Sequence, residues 1–87
     1  YVESDKNYLN LYCLDQAPVR IRSTVKEFGE AVGDFDWLIR CHRAYYVNLH
    51  QIESVSGNAQ GLTLHLKKSD QTIPVSRAYI PTLKAHF

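Results

Sequence analysis

The sequence predicts a predominantly β domain with one helix in mid-chain and a short one at the end. Three observations carry that prediction. Short stretches of alternating apolar residues arrive in neighbouring pairs separated by turn formers, so the strands pair as antiparallel hairpins and not as β-α-β units. A single stretch, Val25 to Val32, has helical spacing behind a capping pattern. A content of 45% hydrophobic and 22% charged residues over 87 positions suits one small globular core and leaves no room for a second.

The elements follow in order. Glu3-Ser4-Asp5-Lys6-Asn7 is a polar cluster of turn formers and reads as a loop. From Tyr8 to Leu14, Tyr8, Asn10, Tyr12 and Leu14 alternate with Leu9, Leu11 and Cys13, the pattern of a strand partly covered on both faces. Asp15-Gln16-Ala17-Pro18 turns the chain, and Val19-Arg20-Ile21-Arg22 alternates strictly as the returning strand. Ser23 or Thr24 caps the helix, with Glu27 in the capping-box position after Thr24. Val25, Phe28 and Val32 form its packed side, Lys26, Glu27 and Glu30 its wet side, and Gly33 stops it.

After Asp34-Phe35-Asp36, Trp37 to Cys41 reads as a short strand, interrupted by His42-Arg43-Ala44 and resumed at Tyr45 to Leu49 as a strand or tight turn. Gln51 to Ser56 alternates, with Ile52 and Val55 as core candidates. Residues 57–61 form a hairpin loop, and Leu62, Leu64 and Leu66 point inward opposite Thr63 and His65. Lys67-Lys68-Ser69-Asp70 turns into Gln71 to Val75, and Ser76 caps a terminal helix with Pro81 near its start.

Composition excludes several classes. No apolar run approaches the roughly 18–20 residues of a membrane span. The chain begins at Tyr1 with no signal-peptide pattern, and it is expected to be one domain, residues 1–87, excised from a longer protein. Cys13 and Cys41 lack CxxC spacing and sit in apolar stretches, as buried free thiols of a reducing compartment do, which makes the cytoplasm the expected location. A redox-sensitive Cys41, flanked by Arg40, His42 and Arg43, is the alternative.

His42, His50, His65 and His86 show no HExxH or His-x-His spacing, so neither a metal site nor a cofactor is expected. Cys41 and His42, adjacent on a strand, point to opposite faces and make no dyad. There is no glycine-rich phosphate cradle. The chain is expected not to be an enzyme.

Charge is distributed unevenly. Residues 1–36 hold four basic and seven acidic side chains, and residues 37–87 hold six and two. A bipolar domain can present a positive face to a polyanion. Arg43 falls at a break in periodicity and Arg77 at the start of a helix, while Lys6-Asn7 and Lys67-Lys68 occupy loops. Arginine can bond guanine O6 and N7 together, and asparagine can do the same for adenine. From composition alone, ordinary surface charge is the better account of the same residues.

Four stretches, taken in order, resemble one family. Ile39-Arg40-Cys41-His42-Arg43-Ala44-Tyr45-Tyr46-Val47-Asn48-Leu49 with Ile52 is similar to the central HRSYLVN-type signature of LytTR DNA-binding domains, the output modules of LytR/AlgR-class response regulators. Tyr1 to Ser4 through Asn7-Tyr8 resembles the family's opening strand and loop. Arg22 to Phe28 resembles the lead into its helix, and Ile73-Pro74-Val75-Ser76-Arg77-Ala78-Tyr79 its closing signature. Three departures stand out: Ala44 in place of serine, Tyr46 in place of an aliphatic residue, and Pro81 in the terminal helix.

The resemblance implies an elongated arrangement of about ten short antiparallel strands in small sheets. It implies sequence-specific binding of double-stranded promoter DNA for transcription regulation in a two-component system, with loop side chains in the major groove. Relatives' base-reading positions map onto Asn7, Tyr8, Arg43 and Arg77. Lys6, His42 and Ser76, with Lys67 and Lys68 behind them, are placed for phosphates. Implied partners are a second copy on direct repeats and an N-terminal receiver or sensor domain in the same chain. The competing expectation is a protein-interaction or regulatory module that kept the fold and lost DNA binding. A metal or redox sensor using Cys41 and His42 is a third.

Overall fold

The computed structural model describes residues 1–13, 15–58 and 60–86. The strands are β1 (Val2–Asp5), β2 (Tyr8–Leu11), β3 (Val19–Arg22), β4 (Leu38–His42), β5 (Tyr45–Asn48), β6 (Ile52–Asn58), β7 (Gly61–Leu66) and β8 (Thr72–Val75). The helices are α1 (Val25–Val32) and α2 (Ile80–Lys84), with 3-10 turns at Leu49–Gln51 and Arg77–Tyr79. A five-stranded sheet has the order β3-β2-β1-β5-β4, and a second sheet the order β6-β7-β8. Every pairing is antiparallel.

The mainly β class with a mid-chain and a terminal helix is thus what the chain adopts. Eight strands are formed among the described residues, against the expected ten or so; Tyr12 still exchanges backbone bonds with Tyr1 at 2.9 and 3.0 Å, and beyond it Cys13 and residues 15–18 lie outside any strand. The molecule measures 33 × 26 × 23 Å, longer in one direction. Leu14 of the expected second strand and Ala59 of the expected hairpin loop lie outside the described residues.

Alternation along β5 serves two packing layers, since successive strand residues face opposite ways. Val47, with its neighbour Ile39 and with Cys41, turns toward the second sheet and meets Leu64, Leu66, Ile73 and Val75. Ile80 and Leu83 of α2 close this core. Tyr46 turns the other way and meets Phe28 of α1 edge-on, ring centroids 5.1 Å apart. Val25, Phe28 and Val32 are half-buried and no residue of α1 is fully buried, so this helix lies on the sheet as an outer layer. Its start is fixed locally: Thr24 Oγ1 accepts the Glu27 N–H at 3.1 Å and donates to the Glu27 carboxylate at 3.0 Å.

Three expectations need correction. Glu3-Ser4-Asp5 is strand, not loop: β1 lies between β2 and β5, and neighbours on both sides outweigh the turn-forming character of its residues. Val55 is 39% exposed although it pairs with buried Leu64, because β6 is an edge strand that the core does not reach under. Cys13 is exposed, since it stands in the connection after β2, whereas Cys41 is fully buried. Among the described residues no helix is long and apolar enough to cross a membrane.

Candidate nucleic-acid interface

Pairing brings several connections to one end of the molecule. β1 ends where β5 begins: Glu3 pairs with Tyr45, and the Ser4 N–H donates to the Ala44 carbonyl at 2.7 Å. The Lys6-Asn7 turn and the Arg43-Ala44 turn therefore share a rim. The Ser23 N–H donates to the Asn7 carbonyl at 3.0 Å and adds the start of α1. The Ser76 N–H donates to the Cys41 carbonyl at 3.1 Å, which carries the chain leaving β8 across the end of β4 and sets Arg77 on the same rim. At a strand spacing of about 4.8 Å, the four steps from β3 to β4 give a rim roughly 20 Å broad.

Arg43 and Arg77 are exposed, and neither forms an ion pair or a side-chain hydrogen bond among the described residues. Lys6 and Asn7 are exposed at the tip of their turn, with Lys6 in the left-handed region at φ 58°. Tyr8 is partly spoken for: the Arg20 guanidinium stands 4.5 Å from its ring centroid and also bonds Asp5 at 3.1 Å and Asn10 at 3.2 Å. Ser76 precedes the 3-10 turn without a side-chain capping bond, so its hydroxyl is uncommitted among the described residues.

The Arg43 turn is held from within. His42 Nδ1 accepts the Ala44 N–H at 3.1 Å, which leaves Nε2 as the ring nitrogen that donates outward. The His42 ring lies edge-on to Tyr45 at 5.6 Å, and the Tyr45 hydroxyl donates to the Glu3 carboxylate at 3.1 Å. Burial pushes the Tyr45 phenol above its ordinary value, and the Glu3 carboxylate adds to that. Ala44 keeps both its backbone groups engaged despite lacking a hydroxyl.

Lys67 and Lys68 do not join this group. They form the turn between β7 and β8, and Leu62↔Val75 pairing puts Ser76 at the opposite end of those strands. Six residues of β7 at about 3.3 Å each separate the two ends by roughly 20 Å. Cys41 faces the core, its sulfur 3.8 Å from the Pro74 carbonyl, and burial pushes its thiol up to about 12. Burial and a raised thiol both disfavour the thiolate that a redox-sensitive Cys41 requires. Among the described residues no three His, Cys, Asp or Glu side chains converge, at His42 or elsewhere.

Arg40 has a role in this turn that the sequence alone does not announce. It stands in the apolar run Trp37 to Cys41, is half-buried, donates Nη2 to the Arg43 carbonyl at 3.0 Å, and lies over the Tyr79 ring at 5.6 Å. The available signal was a charged residue inside an otherwise apolar strand, which requires partners when it is covered.

Comparison with known proteins agrees with this architecture. The family model of the LytTr DNA-binding domain matches residues 1–87, and the chain belongs to that family. It is similar to the transcriptional regulatory protein BtsR of Escherichia coli (strain K12), 38% identical over 47 residues, which is 54% of this chain and 20% of the relative. An uncharacterized response regulatory protein of Vibrio cholerae is 40% identical over 47 residues, again 54% of this chain and 20% of the relative. The chain therefore spans about a fifth of the length of these curated relatives. Its fold is shared with the LytTr DNA-binding domain of a putative methyl-accepting/DNA response regulator from Bacillus cereus. The TM-score is 0.82 at 21% identity, covering 97% of this chain and 75% of the other.

Proposed function

We propose that this chain reads double-stranded promoter DNA as the output domain of a bacterial transcriptional regulator. Arg43 and Arg77 bond base edges in the major groove, with Asn7 and Tyr8 at a third contact. Lys6, Ser76 and the Nε2 of His42 bond phosphates. The observation that supports this reading is the convergence of the Lys6-Asn7, Arg43-Ala44 and Ser76-Arg77 segments on one end of the molecule, with both arginines exposed and unpaired among the described residues. A guanidinium free of internal partners can make two parallel bonds to guanine, whereas one locked in an ion pair cannot. The B-DNA major groove is about 12 Å wide, so a rim roughly 20 Å broad spans the groove and the backbone beside it, with room for base and phosphate contacts together.

Lys67 and Lys68 stand outside this interface. The reading extends to a longer protein that carries a receiver or sensor domain, as the name of the response regulatory relative suggests, and to two copies of the domain bound on direct repeats. The test is selection of bound sequences from a random duplex pool, followed by gel shifts at two salt concentrations. An enriched sequence bound far more tightly than its scrambled version is expected. Equal affinity for both would overturn the reading in favour of a module that interacts with protein.

A further inference from the structure

We infer that Arg40 is a positioning residue for DNA reading, one that holds the Arg43 turn and the Arg77 segment in a fixed relation so that both arginines meet their bases together. The inference rests on the proposed DNA-binding reading. Arg40 donates Nη2 to the carbonyl of Arg43 at 3.0 Å, which sets the orientation of the peptide on which Arg43 is displayed. Its guanidinium carbon lies 5.6 Å from the ring centroid of Tyr79, the last residue of the 3-10 turn that Arg77 opens. One planar group thus touches both segments, next to the backbone bond from Ser76 to Cys41.

The third feature is a loss. Arg40 Nε is buried and has no hydrogen-bond partner, so this side chain is desolvated without full compensation. A residue kept only to stabilise the strand would be better served by an apolar side chain there. The contacts it does make are to the two proposed reading segments. Lysine cannot replace it, since an ammonium lacks the flat fork that bonds a carbonyl and stacks on a ring at once.

The experiment compares wild type, Arg40→Lys and Arg40→Met on the selected duplex and its scrambled version, alone and combined with Arg43→Ala or Arg77→Ala. Arg40→Lys keeps the charge, and is expected to keep its affinity for scrambled DNA while losing about tenfold in target-over-scrambled ratio, the scale of coupling within one contact network. Added to Arg43→Ala or Arg77→Ala, it is expected to cost much less than it does alone. Three results overturn the inference: wild-type discrimination in Arg40→Lys, losses that add independently to both alanine variants, or equal loss on target and scrambled duplexes. Should Arg40→Lys fail to fold, Tyr79→Leu, which keeps an apolar contact with the core and removes the ring, carries the test. Unchanged discrimination in Tyr79→Leu then overturns it. A wild-type chain that prefers no duplex removes the DNA reading itself, a result distinct from a discriminating wild type matched by Arg40→Lys.

Discussion

The hydroxyl of Tyr46 closes the space above Gly29. A methyl group placed on Gly29 would stand 2.7 Å from that oxygen and 3.9 Å from the ring carbon bearing it. Tyr46 is the departure from the family's usual aliphatic residue, and glycine inside α1 is what admits it. Glycine in a helix interior costs about 1 kcal/mol relative to alanine, so the contact has a measurable consequence.

Gly29→Ala is expected to be destabilising or neutral in wild type, because the gain in helix propensity is offset by strain of about 1–3 kcal/mol against the packed tyrosine. In Tyr46→Phe the oxygen is gone and the nearest contact becomes an ordinary 3.9 Å, so the same substitution is expected to stabilise by about 1 kcal/mol. Urea unfolding of the four proteins measures the coupling. Equal effects of Gly29→Ala in the two backgrounds would show that the ring moves aside freely.

What was legible in the sequence was local. The Thr24–Glu27 capping pair, the Phe28 face and the Leu62-Leu64-Leu66 alternation depend on residues within a turn or a strand, and each formed as read. What was not legible depended on partners far along the chain. Glu3 and Asp5 look like loop residues until β2 and β5 pair on either side. The rim exists because Ser76 bonds Cys41 across 35 positions, and no periodicity announces that. Arg43 and Arg77 stand in recognisable motifs, whereas the place of Arg40 depends on its contacts with Arg43 and Tyr79, and that of Lys67-Lys68 on the β7–β8 register that sends them to the far end.

The two thiols are expected to behave oppositely. Cys13 is exposed and reacts promptly with a thiol reagent in the native protein, while Cys41 reacts at the rate of unfolding. Since burial raises the Cys41 thiol from 9.0 to about 12, the folded state holds a proton that the unfolded state releases in between. The Cys41 contribution to stability is therefore fully present below pH 9 and is lost as the pH rises from there toward 12. Tyr45, also raised, adds a loss of the same sign at higher pH. Unfolding of wild type and Cys41→Ala at pH 8 and pH 10 checks this: the variant is expected to lose less stability across the interval. Parallel losses would place the titrating group elsewhere.

Lys6 and Lys68 form a matched pair, both left-handed, with φ 58° and 55°. Glycine removes the backbone strain of roughly 1–2 kcal/mol but adds unfolded-state entropy of similar size, so Lys6→Gly and Lys68→Gly are both expected to change stability by no more than about 1 kcal/mol. Their effects on DNA binding diverge. Lys6→Gly is expected to reduce the slope of log affinity against log salt by about one, the signature of a lost phosphate contact, and Lys68→Gly to leave it unchanged. An equal fall for both would bring the far turn onto the duplex.

Arg43→Ala and Arg77→Ala are each expected to weaken binding to the selected duplex by about 1–3 kcal/mol and to relax preference at one site, a different one for each. Both side chains are exposed and unpaired among the described residues, so stability should stay within about 0.5 kcal/mol of wild type and the loss belongs to recognition alone. Arg43→Lys separates direct base reading from general attraction: it keeps the charge but not the paired bonds, and is expected to retain affinity for scrambled DNA while losing the preference. Repeating the random-pool selection with each variant gives the answer directly. Loss of the same base pair in both would place the two guanidiniums on one contact, and unaltered selected sequences in both would move base recognition to other residues of the rim.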